Sequence, residues 1–151
     1  MRRRDFLASS LLIGSSLQAI DFREEKPFAW NESHLNDAAL ALYGKELFST
    51  LQKSKQIEIE APNYMISKSW EIPINVKTDI PAKSVALFVT GNQQSLLAVF
   101  TIHPNSIVNY GLNIRVEMSG TLFAVVEGLD GRLYYRRHYL DVSRMSCMAG
   151  G

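Results

Sequence analysis

The feature that most constrains the fold is a series of short segments in which apolar and polar residues alternate. Ile72, Ile74 and Val76, for example, share one face of an extended chain while polar residues occupy the other face. This period of two predicts strands, and a turn signal such as Asp130-Gly131 separates one segment from the next. The predicted strands are residues 57–60, 69–77, 85–89, 96–102, 112–118, 121–127 and 133–142.

Two of these segments, residues 85–89 and 96–102, are continuous apolar runs and are typical of strands buried on both faces. Pro73 predicts an edge position or a bulge for its strand, because proline has no backbone N–H to donate. Several short strands at close spacing predict an all-β fold, an immunoglobulin-like antiparallel β-sandwich. The chain has one cysteine, so the paired cysteines of antibody domains are absent.

One helix is predicted before the strands. Leu40, Tyr43, Leu47 and Leu51 recur at helical spacing, and the helix is expected to begin after a cap at Asn36 or Asp37 and to run to about residue 55. Residues 20–36 are charged and show no sustained period, so they are expected to form a linker.

The N-terminal residues predict an export signal. Arg3, Arg4, Phe6 and Leu7 form a pattern similar to the twin-arginine signal of bacteria. The apolar run that follows, residues 7–17, is too short to span a bilayer. We therefore expect a signal peptide over residues 1–19, a periplasmic protein and no membrane anchor. The alternative is a basic start that is never removed.

Charge and cysteine content exclude several function classes. The 16 Lys and Arg residues nearly balance the 15 Asp and Glu residues, and a formal net charge of +1 gives no field that would attract nucleic acid. A single cysteine rules out an intrachain disulfide and any zinc or iron–sulfur site built from several cysteines. No metal site and no cofactor are expected.

The one cysteine, Cys147, lies in a short tail after the last predicted strand. A fully extended chain from Val142 to Cys147 would reach roughly 17 Å, which is far enough to place the thiol in the cleft of another protein. Exported proteins usually pair their thiols, so an unpaired one indicates a reactive group or an intermolecular disulfide. The alternative is a cysteine without a role. The expected flexible arm comprises Arg144, Met145, Ser146, Met148, Ala149, Gly150 and Gly151 around the cysteine.

Other candidate residues are weaker. His34, His103 and His138 lie far apart in sequence, and none has a second ligand at metal-binding spacing. Arg136 and His138 share one face of the last strand, which is either a solvated edge or a cationic segment that guides an anion towards the tail. No nucleophile–histidine–carboxylate order and no phosphate-binding glycine loop is present, so no catalytic residues are predicted.

The twin-arginine start, the helix, the sandwich and the cysteine-bearing tail together resemble the SoxY family, the carrier subunit of the bacterial sulfur-oxidation (Sox) system for thiosulfate. The resemblance covers roughly residues 40–151, including the strand-like segments 84–89, 97–100 and 123–128. It divides the chain into a signal peptide (1–19), a linker (20–36), a SoxY-like domain (37–142) and a carrier arm (143–151).

The resemblance implies that Cys147 is the covalent attachment point for thiosulfate-derived sulfur, the only group bound. It also implies a SoxZ-like subunit as heterodimer partner and a c-type cytochrome that joins thiosulfate to the cysteine. A hydrolase that releases sulfate and enzymes that process the remaining sulfane sulfur are the other implied partners. The chain itself would be a carrier and not an enzyme.

The tail differs from the family pattern, which reads Gly-Gly-Cys-Gly-Gly. Here Met145-Ser146 and Met148-Ala149 flank the cysteine, and these bulkier residues make a narrow channel harder to enter. Two other interpretations stay open. One is an exported binding subunit whose Cys147 forms an interchain disulfide or is inert, and the other is an enzyme whose site the sequence does not reveal.

Overall fold

The structure is a computed structural model that describes residues 20–44, 50–66 and 71–143. Its helices are α1 (Phe22–Glu25), a 3-10 helix (Pro27–Trp30) and α2 (Leu35–Tyr43). Its strands are β1 (Leu51–Lys53), β2 (Ile57–Glu60), β3 (Tyr64–Ile66), β4 (Glu71–Thr78), β5 (Ala82–Val89), β6 (Leu96–Thr101), β7 (Val108–Arg115), β8 (Gly120–Gly128) and β9 (Leu133–Ser143). None of the helices in these ranges is long and apolar enough to cross a membrane.

The strands form two sheets. The larger sheet has the order β1-β9-β8-β5-β6 with β3 also paired to β9, and the smaller sheet has the order β2-β4-β7. The predicted immunoglobulin-like β-sandwich is therefore confirmed. The pairing is not purely antiparallel, because β1 and β3 both pair with β9 in parallel. These two three-residue strands have no alternating apolar pattern long enough to be recognised in the sequence.

Each central strand of the larger sheet contributes side chains to two cores. Along β5, Val85, Leu87 and Val89 point between the two sheets, and Ala86 and Phe88 point to the opposite side. The alternation follows from the pleat of a strand, in which successive side chains leave opposite faces. The second core is closed by the helical segment, so the molecule has three layers. This confirms that the run 85–89 is buried on both faces.

The helical layer includes the residues expected to be a linker, and that prediction is wrong. The segment forms α1 and the 3-10 helix, and Ala29 is fully buried in the second core. The guanidinium of Arg23 lies 4.1 Å from the ring centroid of Trp30, whose indole N–H donates to the carbonyl of Phe22 at 3.1 Å. Helices of one turn have no detectable period, which is why the sequence did not reveal them.

The predicted helix is correct only in its first half. Helix α2 has His34 at its N-cap, where Asn36 or Asp37 was expected, and it ends at Gly44, which adopts a left-handed conformation with φ of 68°. A glycine in this conformation terminates a helix at low cost. Leu51, which was assigned to the helix, instead lies in β1.

Two predictions about strand positions also need correction. Strand β6 is an edge strand, and most of its residues are only half-buried, because one side of an edge strand has no neighbour. Strand β4 is central in the smaller sheet, whereas Pro73 predicted an edge position or a bulge. The proline is tolerated because β2 pairs only with residues 75–78 of β4, so β2 does not reach it.

Candidate functional site

The tail with Cys147 lies outside the described residues, as do the arm residues Arg144, Met145, Ser146, Met148, Ala149, Gly150 and Gly151 and the signal residues Arg3, Arg4, Phe6 and Leu7. The structure does describe strand β9, which carries the tail and ends at Ser143. Cys147 follows Ser143 by four positions in the chain, and an extended chain of this length reaches roughly 14 Å between the two Cα atoms. The residues around the end of β9 are therefore the described part of the candidate site.

The end of β9 is held by a side chain from the β7–β8 turn. The Ser119 hydroxyl oxygen accepts a hydrogen bond from the backbone N–H of Val142 at 2.9 Å, and the same hydroxyl lies 3.2 Å from Asp141 Oδ1, to which it can donate. Ser119 thereby satisfies a backbone donor two residues before the tail begins. The sequence indicated a turn at Ser119-Gly120 but carried no signal for this contact, since the partners are 23 residues apart.

Strand β3 fixes the same residues of β9 by backbone pairing. Tyr64 is in register with Asp141, and Ile66 is in register with Ser143. The N–H of Asp141 also donates to the carbonyl of Asn63 at 3.0 Å. Two independent sets of contacts thus hold the last residues of β9, and the tail leaves the domain from a defined point.

The surface around this point carries large exposed side chains. Tyr139 and Asp141 lie on one face of β9, two residues apart, and Tyr64 lies on that face too because it is in register with Asp141. The exposed fractions are 55% for Tyr64, 57% for Met118 and 60% for Tyr139. Met118 directly precedes Ser119 in the β7–β8 turn.

The basic residues of β9 alternate as expected, since Arg136 and His138 are half-buried and Arg137 is exposed. Together they line a groove of about 420 Å³ beside β2. The groove also contains Lys55 and the carboxylates of Glu58 and Glu60, so its charge is mixed rather than purely cationic. His138 Nε2 is buried in it without a hydrogen-bond partner.

Glu60 in this groove already has partners. Its carboxylate accepts hydrogen bonds from Lys77 Nζ at 2.6 Å and from Asn75 Nδ2 at 3.2 Å. These bonds lower the pKa of Glu60, with the Lys77 hydrogen bond as the main cause. The side chains of Lys77 and Glu60 are both exposed, so their ion pair contributes little to stability.

The other two histidines have ordinary structural positions. His34 occupies the N-cap position of α2 without a side-chain capping hydrogen bond, and His103 Nδ1 accepts a hydrogen bond from the backbone N–H of Asn105 at 3.4 Å within a turn. Within the ranges that the structure describes, no three or more His, Cys, Asp or Glu side chains form a group that could hold a metal ion.

A polar cleft that the sequence did not indicate lies between the helical layer and the loops that flank β6 and β7. It has a volume of about 500 Å³, and its lining includes Arg23, Trp30, Asn92 and Arg115. The Asn92 side chain fixes the loop before β6, since its Nδ2 donates to the carbonyl of Arg115 at 2.8 Å. The residues that line the cleft come from three separate segments, so no local sequence motif indicated it.

Comparisons with known proteins relate the chain to sulfur carriers. The family model described as Sulfur oxidation protein SoxY matches residues 41–147, a range that includes Cys147. The solved structure of the sulfur carrier protein SoxY from Chlorobium limicola f thiosulfatophilum matches with a TM-score of 0.64 and 28% identity, over 72% of this chain and 96% of that chain. No curated protein shows significant similarity to the chain.

Superoxide reductases share the fold at lower identity. The superoxide reductase (neelaredoxin) from Ignicoccus hospitalis matches with a TM-score of 0.53 and 15% identity, over 58% of this chain and 80% of that chain. A putative superoxide reductase from Thermotoga maritima matches with a TM-score of 0.54 and 13% identity, over 66% and 98% of the two chains. At this identity the likeness shows the sandwich architecture alone.

The family match covers most of the chain, so the protein belongs to the SoxY family, and this membership supports a carrier role in sulfur oxidation.

Proposed function

We propose that this protein is a periplasmic sulfur-carrier subunit that holds thiosulfate-derived intermediates covalently on Cys147 and presents them to partner enzymes. The observation that carries the proposal is that the family match extends through the tail to Cys147. The anchored end of β9 supports it, since Ser119 and β3 give the tail a fixed origin. A carrier needs such an origin, because a tethered intermediate stays at high local concentration near its enzymes.

The proposed loading step forms one sulfur–sulfur bond. The thiol of Cys147 loses its proton, and the resulting sulfur joins the outer sulfur of thiosulfate to give a cysteine S-thiosulfonate. Two electrons leave in this step and are accepted by the haem groups of a c-type cytochrome enzyme. A hydrolase then adds water across the bond to the sulfonate group, which releases sulfate and a proton and leaves a persulfide on Cys147. Other enzymes process that remaining sulfane sulfur.

A SoxZ-like subunit is the proposed heterodimer partner, and the twin-arginine pathway is the proposed route of export. The pattern of Arg3, Arg4, Phe6 and Leu7 supports the export route. The mass of the protein recovered from periplasmic extract tests it, since cleavage near Ala19 removes the signal peptide. Recovery of the uncleaved chain from the cytoplasm would contradict this part of the proposal.

The test of loading is an intact-mass measurement after incubation with thiosulfate and the conjugating cytochrome. The wild-type protein is expected to gain mass that a thiol reductant removes, and Cys147→Ser is expected to gain none. Ser146→Ala is the matched control and should load like the wild type. Cys147→Ser is expected to fold like the wild type, with a free energy of unfolding within about 0.5 kcal/mol, because the proposed role of the thiol is chemical and not structural.

The competing interpretation is a binding subunit whose Cys147 forms a permanent interchain disulfide or has no role. Non-reducing gels of periplasmic extract separate the two functions. A carrier is recovered mainly without a disulfide partner, whereas a permanent disulfide would place nearly all of the protein in a larger species. That result, or the absence of any adduct on the wild-type protein, would refute the carrier function.

A further inference from the structure

The length of the tail restricts where a partner enzyme can bind. If Cys147 carries the substrate, which is the proposed function on which this inference rests, an enzyme must bring its catalytic atoms to that sulfur. The Cα of Cys147 can be no further than roughly 14 Å from the Cα of Ser143. An enzyme that holds the cysteine in a cleft therefore has the rim of that cleft against the surface around the end of β9.

Three exposed side chains lie on that surface, and we call Tyr64, Met118 and Tyr139 the arm-base patch. Tyr139 lies four residues before Ser143 in an extended strand, at about 13 Å. Tyr64 is closer, because its register partner Asp141 is only two residues before Ser143. Met118 is next to Ser119, whose hydroxyl bonds to Val142. All three members of the patch thus lie within the distance that the tail can span.

The position of the arm-base patch at the end of β9 distinguishes it from the other exposed side chains. Eight large apolar or aromatic side chains are exposed in the part of the chain that the structure describes, and three of them lie beside the last residues of β9. By contrast, Leu129 lies in the β8–β9 hairpin, at the far end of the eleven-residue strand β9. An extended strand of that length spans about 33 Å, so Leu129 cannot contact an enzyme that covers the patch in the same way.

The composition of the patch fits a transient enzyme contact. Tyrosine and methionine are enriched at protein interfaces, and tyrosine often dominates the binding energy. A patch of only three such side chains suits an encounter that must dissociate after each step, because short-lived complexes have small interfaces. The two anchors of β9 hold the patch in a fixed position relative to the origin of the tail.

We propose that the arm-base patch is the docking surface for the enzyme that loads Cys147, with Tyr64 and Tyr139 as its main contacts. The rim of the enzyme's cleft packs on the two tyrosines while the tail enters the cleft. The patch takes no part in the chemistry of the thiol. It sets the affinity of the encounter and therefore the KM of the loading enzyme for its carrier.

The test uses the full-length exported protein, the conjugating cytochrome and thiosulfate. Tyr64→Thr and Tyr139→Thr each introduce a residue that favours strands. Each variant is expected to raise the KM for the carrier about fivefold with little change in kcat, because it removes a contact that stabilises the bound carrier and the transition state equally. Met118→Gln should have a smaller effect in the same direction. Leu129→Gln is the matched control, because the exposed fraction of 57% is the same for Leu129 and Met118.

A second measurement separates docking from the reactivity of the thiol. The rate at which a small aromatic disulfide reagent modifies Cys147 should stay within about twofold of wild type in every variant, because these changes neither bury nor charge the thiol. Unchanged KM values in both tyrosine variants, with normal loading of the wild type, would overturn the docking surface alone. If the wild-type protein is not loaded at all, the carrier function and the docking surface are both refuted.

Discussion

At the residue scale, Gly120 is the position near the end of β9 with the least space for a side chain. It is the first residue of β8. It is buried and in register with Leu140 of β9. A Cβ at this position would collide with the backbone carbonyl of Thr90. The same stretch supplies Ser119, whose hydroxyl holds Val142. The close packing of these backbones explains why a glycine follows the anchoring serine.

Gly120→Ala is therefore expected to destabilise the protein strongly, because the obstacle is backbone and cannot rotate away. We expect the free energy of unfolding to fall by about 2–4 kcal/mol, within the range of severe overpacking. Urea unfolding followed by tryptophan fluorescence measures the change.

Gly111→Ala provides the matched control for this prediction. Gly111 also lies in a strand, but a Cβ there would meet only the side-chain oxygen of Asn75 at 3.8 Å, an ordinary contact. The substitution should change stability by less than about 1 kcal/mol and in the stabilising direction, since alanine loses less conformational freedom on folding. Equal losses in the two variants would show that the close approach of Thr90 has no energetic effect.

At the element scale, the longer strands and most of helix α2 could be predicted from the sequence, whereas the short strands β1 and β3 and the one-turn helices could not. A strand of eight residues such as β4 shows its buried face as a local pattern, and Ile72, Ile74 and Val76 were correctly placed in the core. The pairing of β1 and β3 with β9 depends on contacts between distant residues, so no local pattern shows it. For the same reason the residues that anchor the end of β9 were missed, and Cys147 stays a prediction from the sequence.

The orientation of helix α2 gives an element-scale prediction, because two of its leucines differ in burial. Leu42 is 3% exposed in the second core, and Leu40 is 46% exposed although its spacing placed it on the apolar face. Leu42→Ala should lower the free energy of unfolding by about 2–4 kcal/mol, and Leu40→Ala by less than about 0.5 kcal/mol.

Thermal or urea unfolding of the two leucine variants checks this orientation. Leucine and alanine are both good helix formers, so the comparison reports the packing of the helix on the sheet rather than helix propensity. Similar losses in both variants, or a larger loss for Leu40→Ala, would mean that α2 packs with a different face.

At the scale of the whole molecule, Tyr43 joins the helical layer to two strands of the larger sheet. It is the last residue of α2, and its hydroxyl is buried without a hydrogen-bond partner. Ser84 of β5 lies close to it but donates its hydrogen bond to Glu127 Oε2 of β8 at 3.0 Å. Burial, and then the negative charge of Glu127, raise the pKa of Tyr43 far above its usual range. The phenol therefore stays protonated in the folded protein.

This arrangement predicts that Tyr43 makes the whole domain sensitive to alkali. The pKa of Tyr43 is higher in the folded protein than in the unfolded chain, where it is about 10. The contribution of the group to stability is therefore complete below that pH and is lost as the pH rises above it, since the unfolded chain can release the proton and the folded protein cannot. Between pH 10 and 11 the wild type should lose about 1 kcal/mol more than Tyr43→Phe.

Urea unfolding of wild type, Tyr43→Phe and Tyr139→Phe at pH 8, 10 and 11 tests this alkali sensitivity. Tyr139→Phe removes an exposed hydroxyl and should follow the wild-type decline. At pH 8 Tyr43→Phe should be at least as stable as the wild type, because it removes a buried hydroxyl that has no partner. If Tyr43→Phe declines in parallel with the wild type, the phenol can ionise in the folded protein, and the contact between the helical layer and the sheet at Tyr43 is open to water.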